Sequence, residues 1–194
     1  MKKKVKIIIL VCGILLVGLL VFHFTRKAKY EKIGKSVYDL AINDYTYDSA
    51  TEFKFETDSK GKEIVYYFND EEYYKVLNLD EFLSHYTKSN QKNFLVDLAI
   101  VLDGDDYYLP SANVNFLNYY IGYDINYSHK FNNKVYYTIS SKYCSDDDIE
   151  FTECNESKAI ISKADFVIEK SGDNWLVDSF AFPINDIVYS SEDD

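Results

Sequence analysis

The chain has 194 residues, enough for one domain and an additional segment, and its 19 tyrosines and 13 phenylalanines exclude a disordered polymer. Seven of the 21 Lys and Arg residues fall in residues 1–29 and none of the 32 Asp and Glu residues does. The remainder therefore carries 14 basic against 32 acidic residues, a net of −18. Such a domain is repelled by phosphate backbones and by anionic lipid or wall polymers, which excludes nucleic acid and leaves cations, cationic peptides or a basic protein as partners, or simply a solvated acidic surface.

The first element follows MKKKVK: an uncharged apolar run, IIILVCGILLVGLLVF, from Ile7 to Phe22, extending to Phe24 across His23. Eighteen helical residues span about 27 Å, against a hydrocarbon core of ~30 Å. The lysines before it and Arg26-Lys27 after it close the gap by snorkelling. A cleaved signal peptide would need small residues before the cut, and TRKAKY is preceded by none in the required pattern. A lipoprotein signal would need a small residue before Cys12, where Val11 stands. An uncleaved signal anchor fits both ends. Lysines flank both sides, so charge alone does not set orientation. A short tetra-lysine tail is hard to translocate, which places the N-terminus in the cytoplasm and the bulk of the chain outside.

Tyr30, Ile33, Val37, Leu40, Ala41 and Asp44-Tyr45 follow helical spacing, so 28–46 reads as a helix leaving the membrane. EFKFET and EIVYYF around DSKGK read as a hairpin, and LDEFLSHY as a short helix. SNQKNFLVDLAIVLDG reads as a further helix, capped by Ser89 or Asn90, striped by Phe94, Leu95, Leu98 and Leu102, and ended by Gly104. SANVNFLNYYIG, residues 111–122, has the same start and stop grammar.

The period then changes from 3.6 to 2. Tyr123, Ile125, Tyr127, His129 and Phe131 are expected on one face, and Asp124, Asn126, Ser128 and Lys130 on the other. Asn132-Asn133 suits a tight hairpin turn. Val135, Tyr137, Ile139 and Tyr143 continue the alternation, as do Ile160, Ala164, Phe166 and Ile168 after the cysteine-bounded stretch. SGDN then turns the chain into WLVDSFAF. Four antiparallel strands in sequence make a meander with one packed face and one wetter face. Trp175 is expected in the core.

The ending ADFVIEKSGDNWLVDSFAFP is similar to the last hairpin of the cystatin-like, nuclear-transport-factor-like cone superfamily. The resemblance implies helices against one face of a strongly bent sheet. Its members include enzymes, small-molecule binders and membrane-tethered assembly modules, so the fold does not choose a function. A family enzyme would use a His–Asp or Tyr–Asp pair in the mouth of the cone. The candidates here are His129, as a general base, with Asp165 or Tyr137 beside it; the alternative for His129 is a core or rim histidine hydrogen-bonded to a neighbour.

Other chemistry is sparse. There is no HExxH, no Gly-x-Ser-x-Gly and no glycine-rich phosphate loop, so no cofactor is expected. DGDDYY at 103–108 resembles the opening of a calcium loop but lacks the liganding glutamate of an EF-hand. CSDDDIEFTEC, residues 144–154, encloses five acidic residues between two cysteines. A Cys144–Cys154 disulfide closing this loop would contribute roughly 2.5–3 kcal/mol in the chain-entropy picture. The alternatives are a hard cation such as Ca²⁺ on Asp146, Asp148 and Glu150, or two free thiols in a cytoplasmic domain.

The sequence thus specifies an α+β chain: an N-terminal transmembrane helix, then helices packed on a bent antiparallel sheet ending in a four-stranded meander. Residues 1–6 form a basic cytoplasmic tail, 7–24 the signal anchor, 25–188 the extracytoplasmic domain and 189–194 an acidic tail. The Lys-, Asn-, Ile- and Tyr-rich, Pro-poor composition is bacterial in style. The expected function is a non-enzymatic, membrane-tethered binding or assembly module of a cell-envelope complex, held by its N-terminal helix and contacting a protein partner. The alternatives are a small hydrolase- or isomerase-like pocket enzyme of the cone fold, or an immunity or sensor protein that binds a cationic peptide.

Overall fold

The apolar run and the amphipathic stretch after it form one uninterrupted helix, α1, Lys2–Tyr45. The computed structural model describes residues 2–45, 53–111, 120–143 and 160–181, with the side chains of α1 from Val11 onward except Cys12 and Tyr45. The expected 28–46 helix is the second half of α1.

The two halves of α1 have different surroundings. Ile14, Leu15, Leu16 and Val17 are successive, so together they point to every side, and each is at least 60% exposed. From Tyr30 onward the helix is one-sided: Gly34, Val37, Tyr38, Ala41 and Ile42 are buried. Among the described residues no helix is long and apolar enough to cross a membrane. Counted from Gly13, the uncharged stretch ends at Thr25, about 20 Å of helix against a hydrocarbon core of ~30 Å. Ile7–Leu10, which begin the apolar run, lie before the described side chains.

The first sheet has the order β1-β2-β4-β3, with β1 Val65–Phe68, β2 Glu71–Val76, β3 Val101–Asp103 and β4 Asp106–Pro110. Asn69 and Asp70, both at positive φ, join β1 to β2 in the turn that matches strand twist. Of the expected EFKFET–EIVYYF hairpin one isolated bridge remains, Thr57 with Glu63, while Phe55 bridges to Val76 of β2. The Asp58 carboxylate holds its turn by accepting from the Lys60 and Lys62 amides at 2.8 and 2.9 Å. Between β2 and β3 lie α2, Leu79–Leu83, and α3, Lys88–Asp97.

Three expectations are corrected here. The helix expected to run to Gly104 stops at Asp97, and Ala99 at φ 51° breaks it. Leu102 then lies in β3, 60% exposed, and Gly104 at φ 63° turns the β3–β4 hairpin. Thr87, not Ser89 or Asn90, occupies the N-cap position. In the expected helix 111–122, Tyr120–Gly122 belong instead to a strand, and residues 112–119 lie outside the described residues.

The second sheet is the meander, β5-β6-β7-β8, with β5 Tyr120–Phe131, β6 Lys134–Tyr143, β7 Ile160–Ser171 and β8 Asn174–Phe180. All three pairings are antiparallel, turned at Asn132-Asn133 and at Gly172-Asp173. On β6 the alternation is complete: Val135, Tyr137, Ile139, Ser141 and Tyr143 are all buried. On β5 it is not. Tyr127 pairs with Tyr137 but His129 pairs with Tyr136, so Ser128 forms a bulge. The extra residue inverts the pattern beyond it, and His129 and Phe131, expected to share a face with Tyr127, are exposed. Trp175 is half-buried against the core.

The second half of α1 packs against β5 and β8. Val37, Tyr38, Ala41 and Ile42 join Tyr137, Ile139, Phe166, Ile168, Val177 and Phe180 in one core. Burial of each large apolar side chain contributes about 1.5–3 kcal/mol relative to exposure. Tyr86, after α2, pairs in parallel with Val177 and extends the edge of the meander.

Candidate functional site

The richest constellation is the seam between α1 and the meander. At its N-terminal end Tyr30 stacks on Tyr127, with ring centroids 5.5 Å apart and planes 13° apart, and meets the edge of Trp175 at 6.3 Å. The Tyr137 hydroxyl donates to the Tyr30 carbonyl at 2.8 Å. Gly34 lets this happen: a Cβ there would lie 2.5 Å from two ring carbons of Tyr137. Arg26 lies 5.9 Å from the Tyr30 ring centroid, within cation–π range.

At the other end the seam is lined by tyrosine hydroxyls. Tyr38 lies 3.5 Å from the Ser141 hydroxyl. Tyr123 donates a short hydrogen bond to Asp39 and accepts one from the Lys35 ammonium at 3.1 Å. Tyr120 and Tyr143 pack edge to face at 5.8 Å. The Tyr120 hydroxyl is buried with no hydrogen-bond partner among the described residues. Burial pushes Tyr38 up to about 12, with the Ser141 hydrogen bond opposing. Burial also raises Tyr120, Tyr123, Tyr137 and Tyr143 well above the usual tyrosine range, and the Asp39 carboxylate adds to the effect on Tyr123. These phenols therefore stay protonated near neutrality and act as packing groups and hydrogen-bond donors, not as bases.

The structure does not bring the candidate residues His129, Asp165 and Tyr137 together. Tyr137 faces the helix, whereas His129 and Asp165 are exposed on the other face of the sheet. His129 stacks on Tyr136 at 4.4 Å and bonds the Ser128 hydroxyl at 3.0 Å. Asp165, on β7, pairs with Thr138 of β6 and so lies two strands from β5, about 10 Å sideways and beyond hydrogen-bond reach of His129. The bulge at Ser128 is what removes His129 from the seam. Cys144, Cys154, Asp146, Asp148 and Glu150 lie outside the described residues. In the calcium-like DGDDYY stretch, Asp106 is bound by Lys75 at 2.7 Å. Among the described residues no group of three or more His, Cys, Asp and Glu side chains is placed to hold a metal.

A histidine and a carboxylate do meet at a pair not singled out from sequence. His85 Nδ1 lies 2.9 Å from Asp44 Oδ2, with the Asp44 side chain 1% exposed and that of His85 31%. Asp44 is on α1 and His85 follows α2, so the contact ties the end of α1 to the segment after α2. One signal was legible: Asp44 lies three residues after Ala41, on the buried side of its helix. A carboxylate there requires a partner.

Neither known protein families nor curated proteins give a match to this chain.

Proposed function

We propose that the chain is a membrane-tethered, extracytoplasmic binding or assembly module of the cell envelope, non-enzymatic, in which one helix is both anchor and core element. The observation that carries this reading is the division of α1. From Gly13 to Phe24 its side chains are uncharged and exposed on every side, and from Tyr30 onward one side of it is buried against the sheet. A helix apolar all round is stable only inside protein or lipid. With Ile7–Leu10 included, the run reaches the length a bilayer requires.

A helix lying in a four-stranded antiparallel meander supports the cystatin-like cone class as the fold. The seam holds α1 and stacked aromatic rings, which leaves the outer face of the meander for contact. With a net charge of −18 after the anchor, a basic protein or peptide is the complementary partner. We include the Cys144–Cys154 disulfide in this reading. Tyr143 and Ile160, which flank the segment that carries it, are paired across β6 and β7, so the connection returns to its starting point. Alkylation mass spectrometry without reductant tests the bridge: blocked thiols support it and two free thiols refute it.

The test of the tether is alkaline carbonate extraction of membranes from cells expressing the full chain or a chain starting at Thr25. The full chain should stay in the pellet and the shortened chain should be released. Release of both would remove the anchor from the account.

A further inference from the structure

We propose that the β5–β6 hairpin tip is a second contact with the bilayer, with Phe131, on the face of the sheet away from α1, seated among anionic lipid headgroups; this rests on α1 being the anchor. The placement follows from matched pitch. Tyr30 stacks on Tyr127, and nine residues later Asp39 bonds Tyr123. Nine helical residues rise about 13.5 Å and four strand residues about 13 Å, so α1 and β5 run antiparallel in step.

Continuing past the Tyr30–Tyr127 pair, β5 has four residues to Phe131, one of them absorbed by the bulge at Ser128. Three strand residues cover about 10 Å, which corresponds to six or seven residues of helix. Phe131 therefore reaches the level of His23 and Phe24, where the apolar run ends. The β7–β8 tip reaches the same level, because the Lys170 amide donates to the Asn133 carbonyl at 2.8 Å.

The chemistry of this end fits lipid. Phe131 is 63% exposed at a hairpin tip, and Phe24 on the helix is 64% exposed. Arg26, Lys27, Lys29, Lys130, Lys134 and Lys170 lie at this end and outnumber Glu31, Glu169, Asp173 and Asp178 there, on a domain that is otherwise strongly acidic. A basic rim around an exposed aromatic suits an anionic bilayer surface.

The experiment reconstitutes the full chain in phosphatidylcholine–phosphatidylglycerol vesicles and reads quenching of tryptophan by brominated lipids, with Trp175 present throughout as the baseline. Phe131→Trp is compared with Leu20→Trp in the anchor and with Ile161→Trp. Ile161 pairs with Lys142, eight residues along β6 from the tip. Phe131→Trp should lose emission relative to the parent, most strongly with bromine near the glycerol backbone. Leu20→Trp should lose it with bromine deep in the chains, and Ile161→Trp should not lose it. Quenching of Leu20→Trp without Phe131→Trp would overturn the hairpin contact and leave the anchor standing. Quenching of neither would overturn both. Phe131→Trp quenched no more than Ile161→Trp would likewise overturn it, as would a protein partner shielding the residue from lipid.

Discussion

The ring of Tyr137 occupies the space that any side chain on Gly34 would fill, so α1 and β6 approach as closely as a glycine permits. Ile125 closes the same space, 3.0 Å from the position of a Cβ. Gly34 costs the helix about 1 kcal/mol relative to alanine. Overpacking a dense interior costs typically 1–3 kcal/mol, so contact outweighs propensity. Gly34→Ala should lower unfolding stability by about 1–2 kcal/mol, read by Trp175 fluorescence in denaturant. Gly34→Ala with Tyr137→Leu should recover part of it. A stabilised Gly34→Ala would mean that this seam is not tightly packed.

Alkali should unfold the domain through its tyrosines. In the folded state Tyr38 is pushed up to about 12, and burial raises Tyr120, Tyr123, Tyr137 and Tyr143 as well, from an ordinary value of 10.0. Above pH 10 the folded state therefore binds more protons than the unfolded state, and stability falls as pH rises. The contribution is fully present below pH 10 and is lost progressively above it. Tyrosinate absorbance should show a late step that coincides with loss of tertiary structure. A single step near pH 10 with the fold intact would contradict the burial of these hydroxyls.

The Asp44–His85 contact should hold the end of α1 to the segment after α2. Asp44→Ala should cost about 1–3 kcal/mol, as expected when a buried group loses its hydrogen bond. Asp44→Asn, which keeps an acceptor, should cost less. The two are ranked by thermal unfolding of the full chain in detergent, and equal stabilities of all three proteins would show the pair to be energetically silent.

How much of this was legible in the sequence depends on how local each feature is. The Asn132-Asn133 and Gly172-Asp173 turns and the period-two strands follow from residues next to one another. The bulge at Ser128 did not, because an inserted residue leaves no mark in composition, yet it moved His129 and Phe131 to the opposite face. The β3–β4 hairpin was hidden because Leu95, Leu98 and Leu102 happen to keep helical spacing, although Gly104-Asp105 was itself a turn signal. The pairing of β2 with β4, across α2, α3 and β3, has no local trace at all. Asp44 announced a need for a partner, but its sequence distance to His85 left that partner unnamed.

The central claim, a domain held outside the membrane by a helix that also fills its sheet, is tested most directly by protease treatment of intact, wall-stripped cells. An epitope tag after Asp194 should be removed by added protease, while a tag before Met1 should survive until the membrane is broken. A tag after Asp194 that is protected until lysis would contradict the orientation and, with it, the extracytoplasmic role.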